Sequence, residues 1–171
     1  MAKLKNETEI IQRCQAGDIS AFEEVYHYYS QPMYRLARGI LSSHEDAEDA
    51  IQEAFARLYR YIKKFRFGSD FSTWFYRVVV NACYDVVRKR SRLDQVEFDD
   101  KIDVSQNPSV ETRMQLEEAL SKLPVKMRTS FVLFAVEGFK QEEIAEILHI
   151  KLGTVKAQVF AAKRKLRQIM T

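Results

Sequence analysis

The sequence predicts an all-α protein of two small helical domains joined by a flexible acidic linker. Only 5 glycines and 3 prolines occur in 171 residues, and both residue types disfavour helix interiors. Apolar side chains recur at helical spacing over most of the chain. Residues 1–91 contain 14 basic and 12 acidic side chains, residues 92–111 contain 2 and 6, and residues 112–171 contain 11 and 6. An acidic stretch therefore separates two basic segments.

The first domain, residues 1–91, is predicted to be a bundle of amphipathic helices. Helical periodicity begins near residue 7, and Pro32 is expected to break or kink the helix that contains it. Ser42 or Ser43 offers an N-cap for the next helix, and a further helix is expected from about Asp70 to Ser91. The apolar positions that would form the core include Phe22, Val25, Tyr29, Met33, Leu36, Ile40, Ala47, Ala54, Leu58, Phe71, Phe75, Val79 and Ala82.

Residues 92–111 are interpreted as an exposed linker. They are acidic, show no sustained hydrophobic period and contain the turn-favouring pair Asn107–Pro108. The second domain, residues 112–171, is again predicted to be helical. Its apolar positions are interrupted at Pro124, and Gly138 is expected to end a helix.

The C-terminal segment has the pattern of a helix-turn-helix. A short helix from Gln141 to Leu148 precedes a break at 149–153 and a longer basic helix from Thr154 to about Met170. The periodicity places inward Ile144, Ala145 and Leu148 of the short helix and Val155, Val159, Ala162 and Leu166 of the longer one. In this motif the second helix enters the major groove of DNA with its N-terminal part first. Lysine and glutamine can bond base edges, and further basic side chains can neutralise phosphates. An αα-hairpin with solvated lysines has the same periodicity, so the pattern alone leaves both interpretations open.

The predicted helix from His44 to Lys64 begins with acidic residues and ends with basic ones. This distribution stabilises the helix dipole by itself, and Glu53 with Arg57 forms an i, i+4 pair. The same charges could instead form a binding face that steers a partner into place. Both interpretations stay open at this point.

An aromatic loop precedes the next predicted helix. Phe65 and Phe67 lie in this loop, while Asn81 and Arg88 lie on the polar face of the helix, opposite its apolar stripe. Stacking on an aromatic ring stabilises an unpaired base by ~1–3 kcal/mol, and melting DNA costs ~1.4 kcal/mol per step. Such a surface could help to open a duplex without ATP. Trp74 falls on the apolar stripe and is interpreted as a core residue before a DNA contact.

Three segments resemble the extracytoplasmic-function (ECF) sigma factors, group 4 of the sigma-70 family. The likeness to sigma region 2.2 lies in SSHEDAEDAIQEAFARLYR, that to regions 2.3 and 2.4 in FRFGSDFSTWFYRVVVNACYDVVRKRSR, and that to region 4 in EEIAEILHIKLGTVKAQVFAAKRKLRQ. The resemblance extends from about Glu9 to Arg167. It implies a region 2 bundle and a region 4 helix-turn-helix that bind core RNA polymerase, recognise and melt promoter DNA, and start transcription.

The resemblance also implies which residues make each contact. The polymerase β′ clamp helices would bind Asp46, Asp49, Gln52 and Glu53. The −10 promoter element would contact Phe65, Phe67, Ser69, Asp70, Arg77, Asn81, Arg88, Lys89 and Arg90. The −35 element would contact Thr154, Lys156, Gln158, Phe160, Lys163 and Arg164, and region 4 would also touch the polymerase β flap.

The C-terminal helix departs from the family pattern. Ala157 and Gln158 stand where Ser-Arg usually follows GTVK, Ala161 stands where an arginine is common, and His149 stands where a turn glycine is common. These departures bear on −35 preference and affinity more than on fold. In the family the linker threads through the polymerase, where its acids would either mimic nucleic-acid charge in a basic channel or form a solvated tether.

Other function classes find little support. No run of 18 apolar residues and no signal peptide is evident, so a cytoplasmic protein without membrane insertion is expected. Cys14 and Cys83 match no metal or redox spacing. Scattered histidines and the lack of a glycine-rich phosphate loop predict no catalytic residues, no cofactor and no metal. A stand-alone helix-turn-helix regulator and a helical adaptor remain alternatives, and the family often adds an anti-sigma factor as a partner.

Overall fold

The described part of the chain folds into eight α-helices. In the computed structural model the backbone is described for residues 4–93 and 108–170, and side chains for residues 4–92 and 115–170. The helices are α1 (Glu7–Gln15), α2 (Ile19–Leu41), α3 (His44–Tyr61), α4 (Phe71–Leu93), α5 (Pro108–Ser121), α6 (Val125–Ala135), α7 (Gln141–Leu148) and α8 (Leu152–Met170). No residue in these ranges lies in a β-strand, so the predicted all-α class is confirmed.

Local side-chain caps set the starts of α2 and α3. Asp18 caps α2 by accepting from the Ser20 amide at 2.9 Å, and Ser43 caps α3 by accepting from the Asp46 amide at 3.3 Å. The predicted serine cap is therefore confirmed at Ser43. Each such cap satisfies an amide that the helix itself leaves without an acceptor.

Pro32 lies inside α2, and the helix runs unbroken through it. The expected break at Pro32 is therefore wrong, while the alternative of a kink stays a prediction. Tyr29 before the proline and Met33 and Leu36 after it are fully buried. Burial of apolar side chains on both sides of Pro32 outweighs the loss of one backbone hydrogen bond.

The core of the first domain is rich in aromatic rings. Phe75 of α4 lies at its centre, with ring centroids 5.5 Å from Tyr29, 5.2 Å from Phe55 and 5.8 Å from Phe71. Edge-to-face and offset pairs at these distances stabilise a core by ~0.5–1.5 kcal/mol each beyond their buried area. The hydroxyl of Tyr29 also donates to Glu7 Oε1 at 2.5 Å, which fastens α1 to the bundle.

The second domain contains the predicted helix-turn-helix, formed by α7 and α8. His149 ends α7 with φ 52°, a left-handed conformation that glycine adopts most easily, and the Ile150 amide donates back to the Ala145 carbonyl at 3.1 Å. Ile147 is buried, whereas Ala145 and Leu148, which the periodicity places inward, are only partly buried. The predicted inward positions of α8 are confirmed, namely Val155, Val159, Ala162 and Leu166.

The two domains pack against each other. Helices α6 and α7 lie on α2 and α4, and Val132, Leu133 and Phe139 belong to the same buried cluster as the first domain. Residues 94–107, most of the predicted linker, lie outside the described residues. Helices α4 and α5 extend into the two ends of the range 92–111, so the domain boundaries stay a prediction.

Candidate polymerase and promoter interfaces

The loop between α3 and α4 separates its two predicted aromatic contacts. Phe65 is 7% exposed, and its ring centroid lies 5.6 Å from Phe71 and 5.4 Å from Trp74. Gln15 of α1 fixes the loop by donating to the Phe65 carbonyl at 2.8 Å. Phe67 is 46% exposed. Phe67 is therefore the ring that this loop exposes to solvent, while the buried Phe65 packs against it with a centroid distance of 5.1 Å.

A cleft lies between this loop and α1. Its volume is about 390 Å³, and its lining comprises Glu7, Thr8, Phe67, Gly68, Ser69, Asp70 and Phe71. Polar groups from Ser69 and Asp70 stand beside the Phe67 ring, as a pocket for a flat polar ligand requires. Glu7 and Thr8 were missed by sequence reasoning, because nothing local in α1 indicates a neighbour some sixty residues further along the chain.

The polar face of α4 presents Asn81 and a basic cluster to solvent. Asn81, Arg88, Lys89 and Arg90 are all exposed. Arg88 donates to Asp85, as does Arg57 of α3 at 2.8 Å. Burial raises the pKa of Asp85, but the hydrogen bonds from the two arginines outweigh it and lower the pKa overall. Asp85 thus stays ionised and holds the arginine side chains in place.

Arg77 differs from its neighbours on α4. Its Nε donates to the Ile147 carbonyl at 3.1 Å, and its Nη2 donates to the Glu146 carbonyl at 2.7 Å. Desolvation lowers the pKa of Arg77, although it remains a strong base. The predicted −10 contact therefore faces α7 of the second domain instead of solvent.

The four acidic and amide side chains predicted to bind polymerase divide into two pairs. Asp49 and Gln52 are exposed on α3. The side chain of Asp46 is 13% exposed and pairs with Arg90 Nε at 2.8 Å. Glu53 accepts from Arg57 Nε at 2.8 Å, a hydrogen bond that lowers the pKa of Glu53. Asp46 and Glu53 are thus engaged in ion pairs, and Asp49 and Gln52 form the outward part of this face.

Helix α8 carries the predicted −35 contacts. Thr154, Lys156, Lys163 and Arg164 are exposed, and Phe160 is 69% exposed. Gln158 is only half-buried, and its Oε1 accepts from the buried Ser130 hydroxyl at 2.6 Å. This hydrogen bond orients the Gln158 amide so that its NH₂ group remains a donor. The −35 candidates thus all lie outside the buried stripe of α8, with the half-buried Gln158 nearest to it.

The described residues contain neither a candidate metal site nor a candidate membrane span. No group of three or more His, Cys, Asp or Glu side chains in residues 4–92 and 115–170 could hold a metal ion. No helix within the described ranges is long and apolar enough to cross a membrane. His44 instead contacts the Tyr34 hydroxyl and lies 3.2 Å from Glu48 Oε1.

Comparison with known proteins gives consistent matches to both domains. The family model for sigma-70 region 2 matches residues 25–93, and that for sigma-70 region 4 matches residues 113–166. The ECF sigma factor SigM of Mycobacterium tuberculosis is 30% identical, over 97% of this chain and 85% of its own length. SigW of Bacillus subtilis is 31% identical, over 92% and 93% of the two chains.

A solved structure supports the same assignment. The sigma factor RpoE of Bartonella quintana, in complex with the anti-sigma factor NepR, is 25% identical with a TM-score of 0.74 and covers 87% of this chain and 96% of its own. Both sigma domains are present in the family's order, and the full-length relatives match nearly the whole chain. The chain therefore belongs to the ECF sigma factors of the sigma-70 family, and it is an RNA polymerase sigma factor.

Proposed function

We propose that the three exposed surfaces described above divide the work of a sigma factor between them. The observation that carries this proposal is the separation of charge and aromatic groups in the first domain. Asp49 and Gln52 lie on α3, whereas Phe67, Asn81 and the basic cluster lie on the loop and on α4. An acidic face and a basic, aromatic face on one small bundle can bind a basic protein partner and DNA at the same time.

The −10 element is opened by capture of unpaired bases. Phe67 stacks on an extruded base at the cleft mouth, where Ser69 and Asp70 can bond its edge. Stacking contributes ~1–3 kcal/mol per base, which offsets a melted step at ~1.4 kcal/mol. Asn81 reads a base edge through its amide, and Arg88 and Lys89 bind phosphates. Trapping bases as they open accounts for melting without a nucleotide-driven step.

The −35 element is read as duplex DNA by α8. The exposed Lys156 near the start of the helix can donate to guanine, and the Phe160 ring can contact a thymine methyl group. Lys163 and Arg164 bind phosphates and fix the register. Gln158, held by Ser130, contributes a donor of fixed direction. These side chains set the −35 sequence preference, because Ala157 and Ala161 have no polar group with which to contact a base.

The polymerase contact is centred on Asp49 and Gln52. Their exposure leaves them available to the β′ clamp helices. Asp46 holds α3 against α4 through its pair with Arg90, and Glu53 pairs with Arg57 within α3 at the end of the face. The second domain touches the β flap.

The chain works as a binding protein in the cytoplasm, with neither a catalytic residue nor a cofactor of its own. Catalysis of RNA synthesis belongs to the polymerase. Because RpoE of Bartonella quintana was solved with an anti-sigma factor, we infer that this chain has such a partner, which would cover the polymerase-binding faces of both domains.

Run-off transcription with core polymerase over a library of genomic promoters tests the proposal. We expect promoter-specific transcripts that require this chain. Asn81→Ala should slow promoter opening and leave core binding unchanged, because Asn81 lies away from α3. Equal loss of both activities would remove Asn81 from the −10 site. Tight binding to duplex operators without core polymerase, and no transcripts with it, would instead indicate a stand-alone regulator.

A further inference from the structure

A buried hydroxyl on α6 lies against Gln158, one of the −35 candidates on α8. Helices α6 and α8 pack on each other, and Ser130 of α6 is 0% exposed. The Ser130 hydroxyl donates to Gln158 Oε1 at 2.6 Å. Gln158 itself is half-buried beside the apolar stripe of α8. The oxygen end of its amide is therefore anchored to the interior of the domain.

The hydroxyl also determines which end of the amide it holds. No other described group accepts a hydrogen bond from Ser130, and a buried hydroxyl without an acceptor is destabilising. The length of 2.6 Å suits an O–H···O bond, for which ~2.5–3.0 Å is usual, better than an N–H···O bond, for which ~2.7–3.2 Å is usual. An amide turned the other way would place Nε2 at this point and would deprive the hydroxyl hydrogen of its acceptor.

The nitrogen end of the Gln158 amide is open to solvent. Among the described residues, the buried side-chain polar atoms that lack a hydrogen-bond partner do not include Gln158 Nε2. No described acceptor bonds Nε2 either, so solvent reaches it. Gln158 lies in the second turn of α8, which begins at Leu152. In a helix-turn-helix the N-terminal part of the second helix contacts the base edges, so Nε2 is a donor presented where bases are read.

A glutamine held in this way loses its usual preference among the bases. An unrestrained glutamine pairs best with adenine, because Oε1 accepts from adenine N6 while Nε2 donates to N7. A carbonyl oxygen can accept twice, but this paired contact needs Oε1 and Nε2 side by side facing the base. The Ser130 bond turns Oε1 towards the interior instead. Guanine presents two acceptors, N7 and O6, in the major groove, so it suits a group that only donates.

We infer that Ser130 is a positioning residue that makes Gln158 select guanine over adenine in the −35 element. The inference rests on the proposed role of α8 at that element. Adenine accepts only at N7 and directs its N6 donor at the Nε2 donor, whereas guanine accepts at both positions. Arginine, the usual family residue at this position, is also a donor without an acceptor. The Ser130–Gln158 pair therefore keeps the donor character of that arginine with an uncharged side chain.

The base preference is measured with core polymerase, this chain and promoters that differ only by single base pairs in the −35 element. Gln158→Ala identifies the contacted base pair, because discrimination is lost there and nowhere else. At that pair the wild type should bind guanine about fivefold more tightly than adenine, at the low end of the range for one base contact. Ser130→Ala should abolish or reverse this preference, because the freed amide can present Oε1 and Nε2 together. Alanine also favours helix, so α6 should stay intact.

Thr129→Val is the matched control on the same helix. Thr129 is also fully buried, but its hydroxyl donates to the Val125 carbonyl and not to α8. Its replacement removes a buried hydroxyl and should leave the base preference unchanged. A second control places Ser130→Ala in the Gln158→Arg background. There the loss of the hydroxyl should have no effect on base preference, because arginine bonds both guanine acceptors with donors of its own.

The side-chain amide signal of Gln158 gives a readout that needs no DNA. In the free protein labelled with nitrogen-15 glutamine, the Gln158 amide should be more rigid than that of the exposed Gln52, and Ser130→Ala should make the two equally mobile. Equal mobility in the wild type would overturn the inference. So would the same base preference in the wild type and Ser130→Ala, or a change in affinity that is equal for all −35 sequences.

A wild type that discriminates at no −35 position would overturn the proposed role of α8 and the base selection together. The amide measurement would then still report whether Ser130 holds Gln158. A wild type that discriminates elsewhere in the −35 element, but not at the Gln158 position, would overturn the base selection alone.

Discussion

Replacing Phe67 by alanine should slow promoter opening by about 5- to 150-fold. This range corresponds to losing the stacking free energy of one base, ~1–3 kcal/mol. The side chain is 46% exposed and contacts Phe65 with a centroid distance of 5.1 Å, so its removal leaves the buried cluster intact. We expect the free energy of unfolding to change little and core binding to stay at the wild-type level.

Phe65→Ala is the matched control within the same loop. Phe65 is 7% exposed and packs on Phe71 and Trp74, so truncation should destabilise the domain by up to ~3–5 kcal/mol. The two substitutions should therefore cause different defects. Phe67→Ala should fail in opening with normal stability, and Phe65→Ala should fail in stability first.

The assay follows a fluorescent base analogue in the −10 element with core polymerase and each variant. Phe67→Trp should restore opening, because any aromatic face can stack on a base. A promoter melted in advance should relieve the Phe67→Ala defect in part, since the cost of unpairing is removed. Wild-type opening kinetics for Phe67→Ala would refute the base-stacking role of this loop.

Three further predictions concern other surfaces. Asp49→Lys should weaken core binding with unchanged stability, because Asp49 is exposed. Asp46→Lys should instead lower the free energy of unfolding, because Asp46 is only 13% exposed and a lysine there would place a second cation beside Arg90. Titration with core polymerase and urea unfolding separate the two variants, and identical behaviour would contradict the distinction. Lys163→Ala should reduce the salt slope of −35 duplex binding by about 0.9 if it contacts one phosphate, and an unchanged slope would exclude that contact. Hydrogen bonds from Ser20 and Arg13 lower the pKa of Asp18 from 3.8 to about 2. The stability contributed by the ionised Asp18 carboxylate should therefore be complete above pH ~4 and lost as pH falls towards 2. Acid unfolding of Asp18→Asn, compared with that of the wild type, measures this contribution.

Local patterns in the sequence were enough to predict the helices and the α8 core face. Ser43 caps α3, and Val155 and Val159 lie inward, because caps and 3.6-residue periodicity are encoded within one turn or two. Pro32 was misjudged because the outcome depends on buried contacts to other helices, which no local signal reports. A proline penalty of a few kcal/mol is overcome when both flanking turns are anchored in a core.

The candidate site was harder to predict where it depends on distant contacts. Phe65 and Phe67 are equivalent in sequence, and packing on Phe71 and Trp74 distinguishes the buried Phe65 ring from the exposed Phe67 ring. Asp46 forms an ion pair with Arg90, and Arg77 donates a hydrogen bond to the Ile147 carbonyl, although the partners are far apart in the sequence. Periodicity indicates which side of a helix is polar, but it does not indicate which polar side chain is already paired.

Helix α4 serves three surfaces at once. At ~1.5 Å per residue its 23 residues extend over about 35 Å. Phe75 faces the bundle core, Asn81 and Arg88 face solvent, and Tyr76 and Arg77 face the second domain. Substitutions one residue apart should therefore alter stability, the contact between the domains or DNA capture separately. Each of these three effects lowers the amount of transcript. A loss of transcription caused by a change in α4 can therefore be assigned to one of them only when stability and interdomain distance are also measured in the free protein.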